Sequence, residues 1–403
     1  MQIILFDDNT RFNLLPFTHT RPIADIRCGI YTMRERWEYF LKSSTSTLTL
    51  PYLQTVFPIS LGSDNLLING SLFANENLVA AVINLPLGHR LVSNGKTIAA
   101  RTENNQLDFN NLVAETTSLK EIPFQDDFTT LNNTWDIFSL NDKAIREDFK
   151  LITNNKRSEA LPKGLLSGNP DKIFVEEGAN IYAGCIINAG TGPVYIGKHA
   201  EILEGTMIRG PLAICDHAVV KMGAKLYGAT TIGPGSKVGG EINNVVFFAN
   251  SNKAHDGYLG NAVIGEWCNL GADTNCSNLK NNYDEVKIWD EYSQRSVKTG
   301  LTFCGLMMGD HSKCGINTMF NTGTIAGVSC NIFGSGFPSK FIPSFTWGGA
   351  EEMTNYDFNK AMETIVRVMT RRHKTLTPAE IEMYRHIFET TASQRELFNS
   401  FKA

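Results

Sequence analysis

One stretch of this 403-residue chain concentrates side chains that can move protons and orient a polar ligand. It reads Lys253-Ala254-His255-Asp256-Gly257-Tyr258-Leu259-Gly260, followed by Asn269-Leu270-Gly271-Ala272-Asp273 and Asn278. A histidine titrates near neutrality and can take a proton from an attacking nucleophile. A tyrosine hydroxyl and two carboxamides add donors and acceptors. The same residues also suit an ordinary surface loop with a packed histidine, and residue type alone does not separate the two. A second histidine, in Gly309-Asp310-His311-Ser312-Lys313, falls inside an unbroken repeat and reads as a coil residue.

What positions the stretch is a period of six. Ile196, Ile202, Ile208, Ile214, Val220, Leu226, Ile232 and Val238 are spaced by six without a polar interruption. Small residues such as Ala200, Thr206, Ala218, Ala224 and Ser236 follow four places later. The phase restarts at Ile264, Leu270 and Cys276, and again at Met308, Cys314, Phe320, Ala326 and Ile332. Six fits neither a helix nor a simple strand. It fits a solenoid with one hexapeptide per flat face and three faces per coil, a left-handed parallel β-helix. Such a repeat serves either as a plain scaffold or as the frame of an acyltransferase, and the period cannot choose between them. The choice rests on the breaks. The first lies between Val238 and Ile264 and contains His255, which is expected on an excursion from the coils. The second, from Asn281 to Thr302, is expected to project as a hairpin or extended loop.

The remaining composition narrows the class. A net charge of −4 with 19% charged residues describes an ordinary soluble protein, and Lys and Arg read as scattered, so a nucleic-acid-binding surface is not expected. The N-terminal apolar run is too short for a signal peptide or a membrane span. The eight cysteines include no CxxC pair, and Cys268, Cys276, Cys314 and Cys330 occupy repeat positions. They read as small hydrophobes in a reducing, cytoplasmic setting, and no histidine spacing suggests a metal.

Four units are expected: an α/β domain over 1–138, a linker helix and loop over 139–170, the β-helix over 171–345 and C-terminal helices over 346–403. Ile3-Ile4-Leu5-Phe6 reads as a buried strand, followed by the polar turn Asp7-Asp8-Asn9-Thr10-Arg11 and by Pro16-Phe17-Thr18-His19-Thr20-Arg21-Pro22. A helix is expected from Ile30 to Leu41, another from Asp142 to about Thr153, and a third from Tyr356 to about Arg371. Thr377-Pro378-Ala379-Glu380 reads as the cap of a fourth. The tail helices are expected to cap the open end of the solenoid.

The order of Thr10-Arg11 and Pro16-Phe17-Thr18…Arg21-Pro22 resembles the opening of sugar-phosphate nucleotidyltransferase domains. That resemblance implies nucleotide contacts for Arg11 and Arg21, and Mg²⁺ if the domain is active. The sequence departs from the pattern where it matters. Asp7, Asp8 and Asn9 replace the glycine-rich turn that aims backbone N–H groups at phosphates. Arg21 replaces a lysine, and no Asp follows Leu66-Leu67-Ile68-Asn69-Gly70.

The stretch from Lys253 to Asn278 resembles the acetyltransferase half of the bifunctional N-acetylglucosamine-1-phosphate uridyltransferase/glucosamine-1-phosphate N-acetyltransferase family, and the domain order matches too. The resemblance implies an acetyl-CoA-dependent transferase of nucleotide-sugar biosynthesis acting on a sugar phosphate. His255 would be the general base, Tyr258 would bond the sugar phosphate, and Asn269 and Asn278 would orient the sugar. Arg209 and Lys221 would supply cationic grip. The cofactor would pass Gly271, Ala272, Lys313 and Gly315. Asp273 replaces a family glycine, which leaves the acceptor open. The alternative is a sugar-1-phosphate nucleotidyltransferase whose β-helix only trimerises. A homotrimer is expected either way, because outward apolar residues such as Phe247 and Phe248 need a second surface.

Overall fold

The structure is a computed structural model that describes residues 1–163 and 165–400, without the side chains of residues 166–167 and 397–400. The N-terminal unit is a six-stranded sheet: β1 (Gln2–Phe6), β2 (Ser46–Leu48), β3 (Asn65–Asn69), β4 (His89–Ser93), β5 (Lys96–Thr102) and β6 (Lys120–Pro123), in the order β2-β1-β3-β5-β4-β6. β1 runs parallel to both its neighbours, whereas β5 is antiparallel to β3 and β4. The unbroken apolar run of β1 follows from burial on both faces. Leu5 packs with Trp37, Leu66 and Ile68, while Ile4 and Phe6 pack with Leu48, Leu67 and Ala100 on the other side.

The period of six does form a left-handed parallel β-helix. Its three faces recur in order, for example Met207–Arg209 on face one, Leu212–Ile214 on face two and Val219–Val220 on face three. The six-spaced residues fill the interior. In the early coils the register Val194↔Leu212↔Thr230 advances 18 residues per coil (212 − 194 and 230 − 212). The first break is a contraction of this repeat. Lys225 pairs with Glu241 at an offset of 16 (241 − 225), and Lys237 pairs with Asn252 at 15 (252 − 237). Glu241–Phe247 and Tyr258–Ile264 each run as one strand across two faces. His255 therefore sits on a coil corner and not on the expected excursion.

The second break does leave the coils. Val263 pairs with Met307 across 44 residues (307 − 263), and the added segment carries an antiparallel hairpin, Lys287–Asp290 with Arg295–Lys298.

Face two explains how the units hold together. The outward residues Phe174, Tyr195, Ala213, Val246, Val263, Met307, Ile325 and Phe341 are all buried. Ile145 and Ile152 of the linker helix (Asn141–Thr153) cover Phe174 and Tyr195. Leu14, Phe17, Ile23 and Met33, together with Val286 and Ile288 of the hairpin segment, cover the rest. This overturns the reason for expecting a trimer from Phe247 and Phe248. Phe247 lies inside the solenoid, and Phe248 packs on Phe17 with ring centroids 5.4 Å apart. The surface they need comes from the same chain.

The tail also departs from expectation. Its helices, Phe358–Thr370, Pro378–Thr390 and Ala392–Ser400, lie along the solenoid. Ala361, Met362, Ile365 and Met369 pack on Trp267, Val328 and Phe345, with Tyr52 and Leu53 of the N-terminal unit alongside. The end of the coils is met by Met353, on the antiparallel strand Met353–Asn355, against the interior rows. The capping box at Thr377 and Glu380 forms as the sequence implies.

Candidate active site

The contraction creates a notch. Between faces three and one, the corners Lys221–Ala224 and Ala254–Gly257 hold four residues each, and Gly239–Gly240 between them holds two. The shortened corner brings backbones close. A Cβ on Gly239 would stand 2.6 Å from the Ala254 carbonyl, and one on Gly240, at φ +73°, 2.8 Å from that of Gly257. Only glycine fits both places. The missing residues leave a groove of about 540 Å³ lined by Lys221, Met222, Gly239, Gly240, Ala254, His255, Asp256, Ala272 and Asp273.

His255 and Asp256 are exposed on the rim, and the loop that carries them is held from within. Lys253 takes an interior position, paired with Val238 in the neighbouring coil, and is almost fully buried. Its ammonium donates to the carbonyls of His255 (2.6 Å) and Asp256 (2.9 Å). Burial pulls its pKa down to about 8. These bonds turn the corner carbonyls inward, which leaves the histidine side chain on the groove side. Sequence reading missed this role, although a lysine in the interior row Val220–Val238–Lys253 was the visible signal. Lys253→Met keeps the stem and removes both bonds. Turnover is expected to fall about tenfold or more, with a melting temperature unchanged or raised, because an apolar isostere of a buried charge is often tolerated. Unchanged turnover would mean that the loop holds itself.

The other expected residues divide around the corner. Tyr258 and Asn278 come together on face one, where Asn278 Nδ2 donates to the Tyr258 hydroxyl (3.1 Å) and to Asn261 Oδ1 (2.7 Å). Asn269 is exposed on face three, paired in register with Asn252. His255, Tyr258 and Asn269 thus wrap one corner over two neighbouring coils. Lys221 and Ala272 line the groove; Arg209 is exposed on face one outside its lining. Gly271 lies directly against the backbone of Gly315, with no room for a Cβ. Lys313 stacks beside Asn269 on face three and donates to the His311 carbonyl at 2.7 Å. Burial brings its pKa to about 8 as well. His311 is buried against Trp267 and Tyr384 of the tail, so it is a packing residue.

The residues expected to meet a nucleotide are committed elsewhere. Arg11 is buried against Asp7 and donates to Thr49 Oγ1 (3.0 Å) and the Thr18 carbonyl (2.6 Å). Arg21 is buried between Asp310 and Glu266 of the β-helix, the latter at 3.1 Å. Thr20 Oγ1 donates to the same Asp310 (2.7 Å), His19 pairs with Glu291 (2.8 Å) and Phe12 stacks on Tyr292. The segment that resembles a phosphate clamp is in this chain the seam between the two units. Magnesium fits poorly here. The Asp7 carboxylate is already bonded by Ile23 N, Thr49 Oγ1 and Arg11, and that of Asp8 by Thr10 N and Asn69 Nδ2.

Comparison with known proteins joins these observations. Residues 3–157 match the sugar nucleotidyl transferase family. The bifunctional sugar-1-phosphate nucleotidylyltransferase/acetyltransferase of Sulfurisphaera tokodaii is 27% identical over 239 residues, 59% of this chain and 52% of the relative. The chain thus joins a unit that matches the sugar nucleotidyl transferase family to a left-handed β-helix. The bifunctional protein GlmU of Synechococcus elongatus is 23% identical over 230 residues, 52% of this chain and 46% of that protein. The chain thus spans about half the length of the curated relatives it matches. Among solved structures, the UDP-N-acetylglucosamine acyltransferase of Francisella novicida is similar at 12% identity and TM-score 0.25, over 57% of this chain and 90% of that one. The nucleotidyltransferase match covers the β1–β6 sheet and the linker helix. The left-handed β-helix carries the groove.

Proposed function

We propose that this chain is a coenzyme-A-dependent N-acetyltransferase acting on an amino-sugar phosphate in nucleotide-sugar biosynthesis, with a nucleotidyltransferase domain that no longer transfers nucleotide. The observation that supports it best is the notch at Gly239–Gly240, which opens a groove beside His255 with Lys221 across it. In this reading the imidazole of His255 removes a proton from the sugar amine as its nitrogen attacks the thioester carbonyl. A C–N bond forms, the C–S bond breaks, and the thiol leaves protonated. Lys221 attracts the phosphate. Tyr258 on face one bonds the sugar phosphate, and Asn278 beside it and Asn269 on face three orient the sugar from the two sides of the corner. The acyl donor lies along the stacked corners at Gly271–Ala272 and Gly315.

The alternative, nucleotide transfer with the β-helix as scaffold, would need Arg11 or Arg21 free for phosphate, and both are buried in ion pairs. A homotrimer remains part of the proposal on new grounds. Met207, Met222, Ile316 and Met319 stay 38–71% exposed on face one and its corner, where none of the described residues covers them. Light scattering reads the assembly state directly.

The test is to incubate the pure protein with acetyl-CoA and a panel of amino-sugar phosphates while following thiol release. Release with at least one acceptor is expected, together with no Mg²⁺-dependent heat on adding UTP or dTTP. No release with any acceptor, or tight nucleotide binding, would overturn the proposal.

A further inference from the structure

The tail brings cations to face three that the helices' packing does not require. The run Arg371-Arg372-His373-Lys374 follows directly on the helix Phe358–Thr370, a cluster that the reading of Lys and Arg as scattered had passed over. Arg372 docks on the solenoid through neutral partners. Its guanidinium donates to the Gly235 carbonyl (2.8 Å) and to Asn252 Oδ1 (3.4 Å). Asn252 is the register partner of Lys237, and the backbone of Lys221 bonds Val238, the residue after Lys237. Among the described residues no carboxylate lies within ion-pair distance of Lys221, Lys237, Arg371 or Arg372. The cations repel one another. Lys237 is lowered by burial and then by Arg372, Lys221 and Arg371, with Glu201 opposing. Arg372 is lowered by burial and by Arg371.

Like charges that a fold gathers without ion-pair partners destabilise it and attract anions. We infer that Arg371 and Arg372 of the tail, with Lys237 and Lys221 of the β-helix, form a binding site for a phosphate or diphosphate group. Lys221 belongs to both this site and the groove that holds His255, so one ligand can span them. The tail is then part of the site and not only a brace. The chemistry suits either partner of the proposed reaction, since a sugar phosphate carries a phosphate and coenzyme A carries a diphosphate and a further phosphate. The link to catalysis rests on the reading of the groove; the anion site itself does not.

The experiment uses the full-length chain and separates the two. Calorimetry with inorganic diphosphate should show binding that weakens as salt is raised. Arg371→Gln together with Lys237→Gln should weaken it about tenfold or more. Among the described residues these two side chains make no hydrogen bond, and Arg371 is exposed, so circular dichroism of the variant should match the wild type. Arg371→Gln alone gives an intermediate loss. In the acetyl-transfer assay the same variants should raise KM for the ligand whose phosphate docks here. A rise for acetyl-CoA alone assigns the cofactor, and a rise for the sugar phosphate alone assigns the acceptor. Diphosphate binding that is absent, or equal in wild type and variants, overturns the site even if acetyl transfer is found. Binding without any acetyl transfer would uphold the site while removing the transferase reading.

Discussion

His255→Ala is expected to lower turnover in acetyl transfer by about a hundred- to ten-thousandfold, the usual contribution of a positioned general base. The loss should appear in kcat, with the KM for acetyl-CoA little changed, because the imidazole would face the nucleophile and not the cofactor. Melting should be unaffected. The side chain is exposed on a corner, and the loop's inward bonds come from the Lys253 ammonium to backbone carbonyls that any residue provides. His255→Gln is a useful companion, since it keeps polarity and bulk without a proton-accepting ring nitrogen. Steady-state rates with acetyl-CoA and the accepted amino-sugar phosphate decide the matter. Full activity of the alanine variant would remove the mechanism.

The second large effect is alkaline unfolding. All eight cysteines are buried and unpaired, and burial raises every thiol pKa. In the unfolded chain a thiol ionises near pH ~8.5. Above that pH the unfolded state binds fewer protons than the folded one, so stability falls. The slope is about 1.4 kcal/mol per pH unit for each thiol, or about 8 for the six that burial raises furthest, Cys28, Cys215, Cys268, Cys276, Cys304 and Cys330. Lys253 and Lys313 act in the opposite direction. Each has a folded pKa of about 8 and an unfolded one near ~10.4, so between these limits they return about 3 kcal/mol per pH unit together. The thiols win. Against a total stability of about 5–15 kcal/mol, cooperative unfolding is expected within about two pH units above pH ~9. Circular dichroism during a pH titration in reducing buffer measures it, and a native spectrum at pH ~11.5 would contradict the account.

The two effects meet at Lys253, which lies in the interior of the coil that bears His255. An all-apolar row there would pack well and leave the corner loop to find its own conformation. A lysine costs desolvation and in return fixes two carbonyls of the loop. Local polar insertion of this kind, in an otherwise apolar solenoid, is what a site built on a rigid scaffold looks like.

The solenoid was legible from residues 196–332 alone because its determinant is local. Each inward residue meets the ones one coil away, and a spacing of six can satisfy that contact in only one architecture. The placement of His255, Tyr258, Asn269 and Asn278 in adjacent coils was legible for the same reason, since their separation follows from the period. Tertiary structure decided what covers the outside. Phe248 reads as a surface for another chain, yet Phe17 packs against it within one buried cluster, and no periodicity links residues more than 200 positions apart. Arg21 is the clearest case. Its type and spacing are compatible with a phosphate clamp, and its partners Glu266 and Asp310 become neighbours only when the N-terminal unit lies along face two. A buried charge takes its role from the counter-charge it meets, and for Arg21 that counter-charge lies on a distant coil of the solenoid.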